Sequence, residues 1–207
     1  MQIRHPYVLF LGDAADQLAA KTADGVARWR GAWCVGQMRL PGCQADVGLP
    51  EVSLDEGYRA GARTLIIGVA NRGGVISDQW MATLLDALDA GFDIANGLHN
   101  RLQRVPRLAQ RAETRGRNLF DVRFTDVDLA VASGRSRAGR RLLTVGTDCS
   151  CGKMFTALAI EREMKGRGMQ ADFRATGQTG ILIAGSGISV DAVVADFIAG
   201  AVEWLTP

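Results

Sequence analysis

Between Leu142 and Glu163 the chain reads "LLTVGTDCSCGKMFTALAIERE", and the residue types in its first half point to one kind of chemistry. An apolar run ends at Gly146, a short polar turn follows, and Gly152-Lys153 opens a segment with helical spacing. A strand, a glycine-bounded turn and a lysine at a helix start are the parts of a polyphosphate cradle. Backbone N–H groups and the helix dipole face the anion, and the ammonium reaches over it. The expected contacts with a phosphorylated cofactor are Gly146, Thr147, Asp148, Cys149, Ser150, Cys151, Gly152, Lys153 and Met154. The pattern departs from G-x-x-x-x-G-K-[ST] in two places: Thr147 takes the first glycine position and Met154 the hydroxyl position. A thioether does not replace an oxygen ligand on Mg²⁺, so the loop keeps its grip and loses the usual metal ligand. This favours holding a phosphorylated carrier over splitting a γ-phosphate, and no metal site is expected.

Asp148 is the informative acid. A carboxylate beside a phosphate cradle serves a substrate group, a proton transfer or a helix cap, and Asp148 is a candidate catalytic base. Cys149 and Cys151 flank Ser150 at a helix start that lowers a thiol pKa, although small residues packed under a tight turn read equally well. Two further segments end expected strands, at the edge where open α/β sheets bind ligands. "GVANRGG" offers Asn71 and Arg72, and "DIANGLHNRL" offers His99, Asn100 and Arg101. Arg72 and Arg101 suit a substrate carboxylate, Asn71 and Asn100 a developing oxyanion, and His99 is the second candidate base. Each of these also reads as an ordinary turn or hydrogen-bonded structural residue. Gln178, Thr179, Ser186, Ser189 and Asp191 add polar groups within "ATGQTGILIAGSGISVDAVVADF". The first strand leads into "LGDAADQ", so the G-x-G-x-x-G fingerprint is absent.

The elements that must carry these groups alternate. Strand-type runs fall at 7–12, 64–70, 92–97, 119–124, 142–146 and 171–176, with "ILIAG" as a further possibility. Helical stretches lie between them: "ADQLAAKTADGVARWR", a helix opening at Ser53 with Glu56 in capping-box spacing, and "SDQWMATLLDALDAG" capped by Ser77 and Gly91. Such alternation predicts parallel sheets with helical crossovers. With 47% hydrophobic and 22% charged residues, the chain has the composition of a soluble globular protein. A net charge of +2 argues against nucleic acid or an anionic membrane as partner. No apolar run approaches the roughly 20 residues of a membrane span. Four cysteines without paired CxxC spacing point to a reducing cytoplasm. From Arg101 to Arg141 eleven arginines stand against four acidic residues, a solvated linker or a contribution to anion binding. The flexible "SGRSRAG" within it places a domain break near 133–139. Residues 1–135 then form one domain. Residues 140–207 are too short for a complete phosphate-loop domain, so its N-terminal portion alone is expected, with part of the active site elsewhere.

"GVANRGG", "DIANGLHNRL", "VGTDCSCGKM" and "RATGQTGILIAGSGISVDAVVADFIAGAVE", in this order, resemble the D-glutamate N-acetyltransferase family, formerly classed as a domain of unknown function. The resemblance covers nearly all of the chain. It implies an α/β protein with a Rossmann-like parallel-sheet N-terminal domain and a P-loop NTPase-like C-terminal domain, truncated here. It also implies an acyltransferase that moves acetyl from acetyl-CoA to the amine of the small amino-acid substrate D-glutamate. A partner dehydrogenase would complete that catabolic route, and a cytoplasmic homo-oligomer is expected. The loop also resembles that of dethiobiotin synthetase. An ATP-dependent ligase or kinase using ATP with magnesium, or a non-catalytic nucleotide-binding protein, therefore stand as alternatives.

Overall fold

Five runs pair into one parallel sheet: β1 (Tyr7–Gly12), β2 (Cys34–Arg39), β3 (Thr64–Ile67), β4 (Asp93–Asn96) and β5 (Leu119–Asp121). The order is β2-β1-β3-β4-β5, which reverses direction between β1 and β3. A computed structural model of the chain describes residues 2–69, 76–125, 127–148 and 151–206.

Strands β1, β3 and β4 are buried along their whole length, and their sequences lack polar alternation because helices cover both faces. On one face, α2 (Leu54–Arg59) lies so close that a Cβ on Gly57 would stand 2.6 Å from Val8 Cγ2. Two residues along β1, Phe10 meets Trp80 of α3 (Asp78–Asp89) edge-on with ring centroids 5.3 Å apart. Helix α4 (Pro106–Arg115) packs beside α3. The other face carries α1 (Lys21–Arg30) and α6 (Gln178–Ala184), packed on each other. Just past α6, the Gly185 carbonyl accepts the Ile3 N–H at 3.0 Å. Leu158, Ala175 and Ile181–Ile183 therefore belong to the same buried cluster as the strands.

Local signals fixed the helices on the first face. Ser53 accepts the Glu56 N–H at 3.2 Å while the Glu56 carboxylate accepts the Ser53 N–H at 2.8 Å, a closed capping box. Ser77 accepts the Trp80 N–H at 3.2 Å, and Gly91 follows with φ +95°.

The structure corrects several expected elements. Residues 142–146 and 171–176 form no strand, and "ILIAG" lies mostly in α6. A strand needs a partner for its N–H and C=O groups, and among the described residues none pairs with 142–146. Leu142, Leu143 and Val145 stay 68%, 80% and 79% exposed. The chain stretch "ILIA" satisfies its backbone internally and buries Ile181, Leu182 and Ile183 instead. Strand β2, "CVGQMR", was not expected; pairing with β1 outweighs its weak apolar pattern. Helix α1 begins at Lys21, six residues later than the periodicity suggested.

Helices α5 (Lys153–Gly166) and α7 (Ile198–Leu205) complete the chain. The expected linker lies against α7: a Cβ on Gly200 would fall 1.8 Å from the Ala130 carbonyl oxygen. The Glu203 carboxylate accepts the N–H groups of Ser133 at 2.8 Å and Gly134 at 3.0 Å. Among the described residues no helix is long and apolar enough to cross a membrane.

Candidate functional site

The phosphate loop is built from its ends inward. Before it, the Thr144 hydroxyl donates to the Lys153 carbonyl at 3.0 Å, drawing the entering chain onto the first turn of α5. Gly152 has φ +98°, a left-handed conformation that suits glycine and turns the chain into the helix. Gly146 is required by close approach, since a Cβ there would sit 2.5 Å from Cys151 Sγ. Inside the loop, Lys153 Nζ donates to the Asp148 carbonyl oxygen and lies 3.5 Å from Cys151 Sγ. A hydrogen bond from the Asp148 backbone holds the Cys151 thiol below its ordinary pKa. The hydrogen bond and charge of Lys153 add to this, against an opposing desolvation effect. Gly146, Thr147, Asp148 and Cys151 are exposed, so an anion has direct access to the loop. Cys149 and Ser150 lie outside the described residues.

Met154 sits next to the lysine and turns inward. A Cβ on Gly180 would stand 3.5 Å from Met154 Sδ and 3.4 Å from Phe173 Cζ, so the thioether packs on α6. Behind it, Phe155 stacks on Trp29 with centroids 5.9 Å apart, and Arg162 lies over the same indole at 5.0 Å. Glu161 is buried and accepts Lys165 Nζ at 2.7 Å and the Phe173 N–H at 3.1 Å, with Arg30 at 3.7 Å. Helix α5 is thereby anchored to α1 and to the strap before α6.

The second candidate group lies after β4. Asn96 is fully buried and donates to Asp121 Oδ1 at 2.8 Å and to the Asn100 carbonyl at 2.9 Å, while its own oxygen accepts the Leu98 N–H at 2.8 Å. Asp121 also accepts the N–H groups of Leu102 at 2.8 Å and Gln103 at 3.1 Å. The sequence reading missed Asp121, which forms the base of this loop; a lone acid after a short apolar run carries no such signal. The knot presents His99 and Asn100 to solvent and sets the Arg101 guanidinium over the Phe124 ring at 4.2 Å. Asn71 and Arg72 fall outside the described residues.

Helix α6 stands between the two groups. A Cβ on Gly97, just past β4, would lie 3.4 Å from Gln178 Cγ, and Gly180 two residues on meets Met154. Thr179 turns toward Gly25 of α1, a Cβ there lying 3.4 Å from its methyl. The loop after β4 and the phosphate loop thus border one short helix. The arrangement sets the lysine-bearing loop on one side of the helix and the loop of His99, Asn100 and Arg101 on the other.

Comparison with known proteins matches both halves of the chain. A family model described as a domain of unknown function, DUF1611_N Rossmann-like domain, matches residues 38–125. A second, described as DUF1611_C P-loop domain, matches residues 130–207. A D-glutamate N-acetyltransferase of Tritonibacter scottomollicae is 58% identical over 205 residues, covering 99% of this chain and 62% of the relative. A protein of the same description from a Pseudoalteromonas species is 46% identical over 207 residues, covering 100% and 62%. The crystal structure of a DUF1611 family protein from Anabaena variabilis superposes with a TM-score of 0.80 at 35% identity, over 98% of this chain and 62% of that one. The chain spans 62% of the length of the curated relatives it matches.

Proposed function

The chain belongs to the DUF1611 family, with its Rossmann-like and P-loop domains, and on that premise we propose that the full-length protein transfers acetyl from acetyl-CoA to the amino group of D-glutamate. The observation that carries the reading is the match at 58% and 46% identity, over nearly the whole chain, to two D-glutamate N-acetyltransferases. The loop fits the donor. Coenzyme A carries a pyrophosphate that residues 146–153 can grip through backbone N–H groups and Lys153, with no bond at phosphorus broken. Met154, packed on α6, takes no part in metal chemistry in this reading.

The reaction asks three things of the protein. The ammonium of the acceptor must lose a proton to a base, assigned to Asp148 or His99. The free amine then attacks the thioester carbonyl carbon, and the oxyanion that forms is stabilised by Asn71 or Asn100. Collapse expels the coenzyme A thiolate, which takes up a proton, and leaves the amide. Arg72 or Arg101 pairs with the acceptor carboxylates. In the cell a dehydrogenase would act on the product's route in the cytoplasm, and a homo-oligomer would complete the assembly.

The test offers full-length protein acetyl-CoA with D-glutamate in one reaction and ATP with magnesium in another. Free thiol in the first and no ADP in the second supports acyl transfer. ADP release without thiol favours the ATP-dependent alternative and overturns this one; binding without either product favours a nucleotide-binding protein.

A further inference from the structure

Away from the phosphate loop, a cavity of about 730 Å³ runs beside β5, the edge strand of the sheet. That volume falls within the roughly 300–1,000 Å³ of small-molecule sites. Two of its guanidinium groups flank opposite ends of the strand. Arg117 precedes β5 and donates to the Gly91 carbonyl at 3.2 Å, whereas Arg101 stacks on Phe124 beyond it. Three strand residues separate these ends by about 10 Å. Arg174 supplies a third guanidinium, and Phe120, Phe124 and Trp204 supply flat aromatic faces. Glu113 and Asp121 also reach the wall. The wall sets three guanidinium groups against two carboxylates, of which Asp121 is already committed to Asn96, Leu102 and Gln103; Arg174 shares an exposed ion pair with Asp172 at 2.6 Å, a weak contact that an incoming phosphate can displace.

The edge itself is closed to an added strand. Gln103 Nε2 donates to the Leu119 carbonyl at 2.9 Å, occupying an acceptor that strand pairing would need. A small ligand suits the cavity better than a peptide. Phe173 and Ala175, the chain neighbours of Arg174, abut Gly180 together with Met154, the residue after the lysine of the phosphate loop.

We infer that this cavity binds the nucleoside end of the donor, with the adenine ring against the aromatic faces and the ribose phosphate paired with Arg117 and Arg174. The assignment rests on the acetyl-CoA reading of the phosphate loop, which leaves this end of the carrier without a site. Guanidinium recognises phosphate in bidentate fashion, and base stacking on aromatic rings needs no further specificity.

Titration of full-length protein with coenzyme A and with dephospho-coenzyme A, which differ only in the ribose phosphate, tests it. The wild type should prefer coenzyme A by roughly tenfold or more. Arg174→Ala should reduce that preference to about threefold or less while leaving dephospho-coenzyme A affinity unchanged, and Arg174→Lys should recover part of it. Lys153→Ala should weaken both ligands alike. Equal wild-type affinities, no binding of coenzyme A, or a preference intact in both Arg174→Ala and Arg117→Ala would overturn the assignment. Thiol release with D-glutamate alongside an undiminished preference overturns the cavity alone. Arginine-dependent binding without thiol release overturns acyl transfer and leaves the cavity standing.

Discussion

The Lys153 ammonium lies 3.5 Å from Cys151 Sγ and donates to the Asp148 carbonyl oxygen, so the one cation of the phosphate loop is folded onto the loop itself. An anion in the cradle would compete with both contacts for that charge. Replacing Lys153 with Ala should therefore weaken coenzyme A binding by about tenfold to a hundredfold, the loss of one charge-assisted hydrogen bond or slightly more. The side chain is not part of the buried cluster, so the thermal midpoint should move little. Calorimetric titration and a melting curve on the same samples check the two halves of this expectation.

The same contact controls a thiol. With its pKa held down by the Asp148 backbone and by Lys153, Cys151 is in the thiolate form at lower pH than an ordinary cysteine. Alkylation at Cys151, followed by peptide mapping across pH, should reach half its maximal rate below the ordinary value of about 8.5. In Lys153→Ala the midpoint should rise part of the way back, because the Asp148 hydrogen bond persists. A midpoint at or above the ordinary value would contradict the loop geometry.

Asp121 anchors the loop that carries His99 and Arg101. Asp121→Ala strips partners from Asn96 Nδ2 and from the Leu102 and Gln103 N–H groups in a buried setting, at an expected cost of about 2–4 kcal/mol. Urea unfolding measures the loss. A change of less than about 0.5 kcal/mol would mean that water satisfies the site.

Glu161 links α5 to α1 and to the strap before α6. Desolvation raises its pKa, but Lys165, the Phe173 N–H and Arg30 together outweigh that and hold it below the ordinary value. A depressed carboxylate stabilises the fold above its unfolded pKa, about 4.3, and that contribution disappears as pH falls through the folded value. Glu161→Gln should therefore be less stable by about 1–2 kcal/mol at neutral pH, and the gap should shrink below about pH 4.3. Denaturation at several pH values gives the gap; one independent of pH would contradict this role.

Much of this architecture was legible in the chain. Ser53 and Ser77 marked their helices because a cap is a local hydrogen bond, readable within four residues. Gly146 and Gly152 marked the loop because its backbone demands glycine at both positions. What escaped was decided by distant partners. "CVGQMR" becomes a strand by pairing with β1, and "ILIA" becomes a helix against α1, neither of which a short apolar run specifies. "LLTVG" has a strand's composition, yet Leu143 remains 80% exposed without strand partners among the described residues. The buried Asn96–Asp121 bond under the His99 loop escaped for the same reason, since only the fold brings the two side chains together.

Acyl transfer itself is tested most directly by following free thiol from acetyl-CoA and full-length protein, with and without D-glutamate. The account predicts thiol release that depends on D-glutamate, saturates with both substrates, and shows a raised KM for acetyl-CoA in Lys153→Ala. Thiol release that is absent, or that proceeds equally without the amino acid, would contradict it.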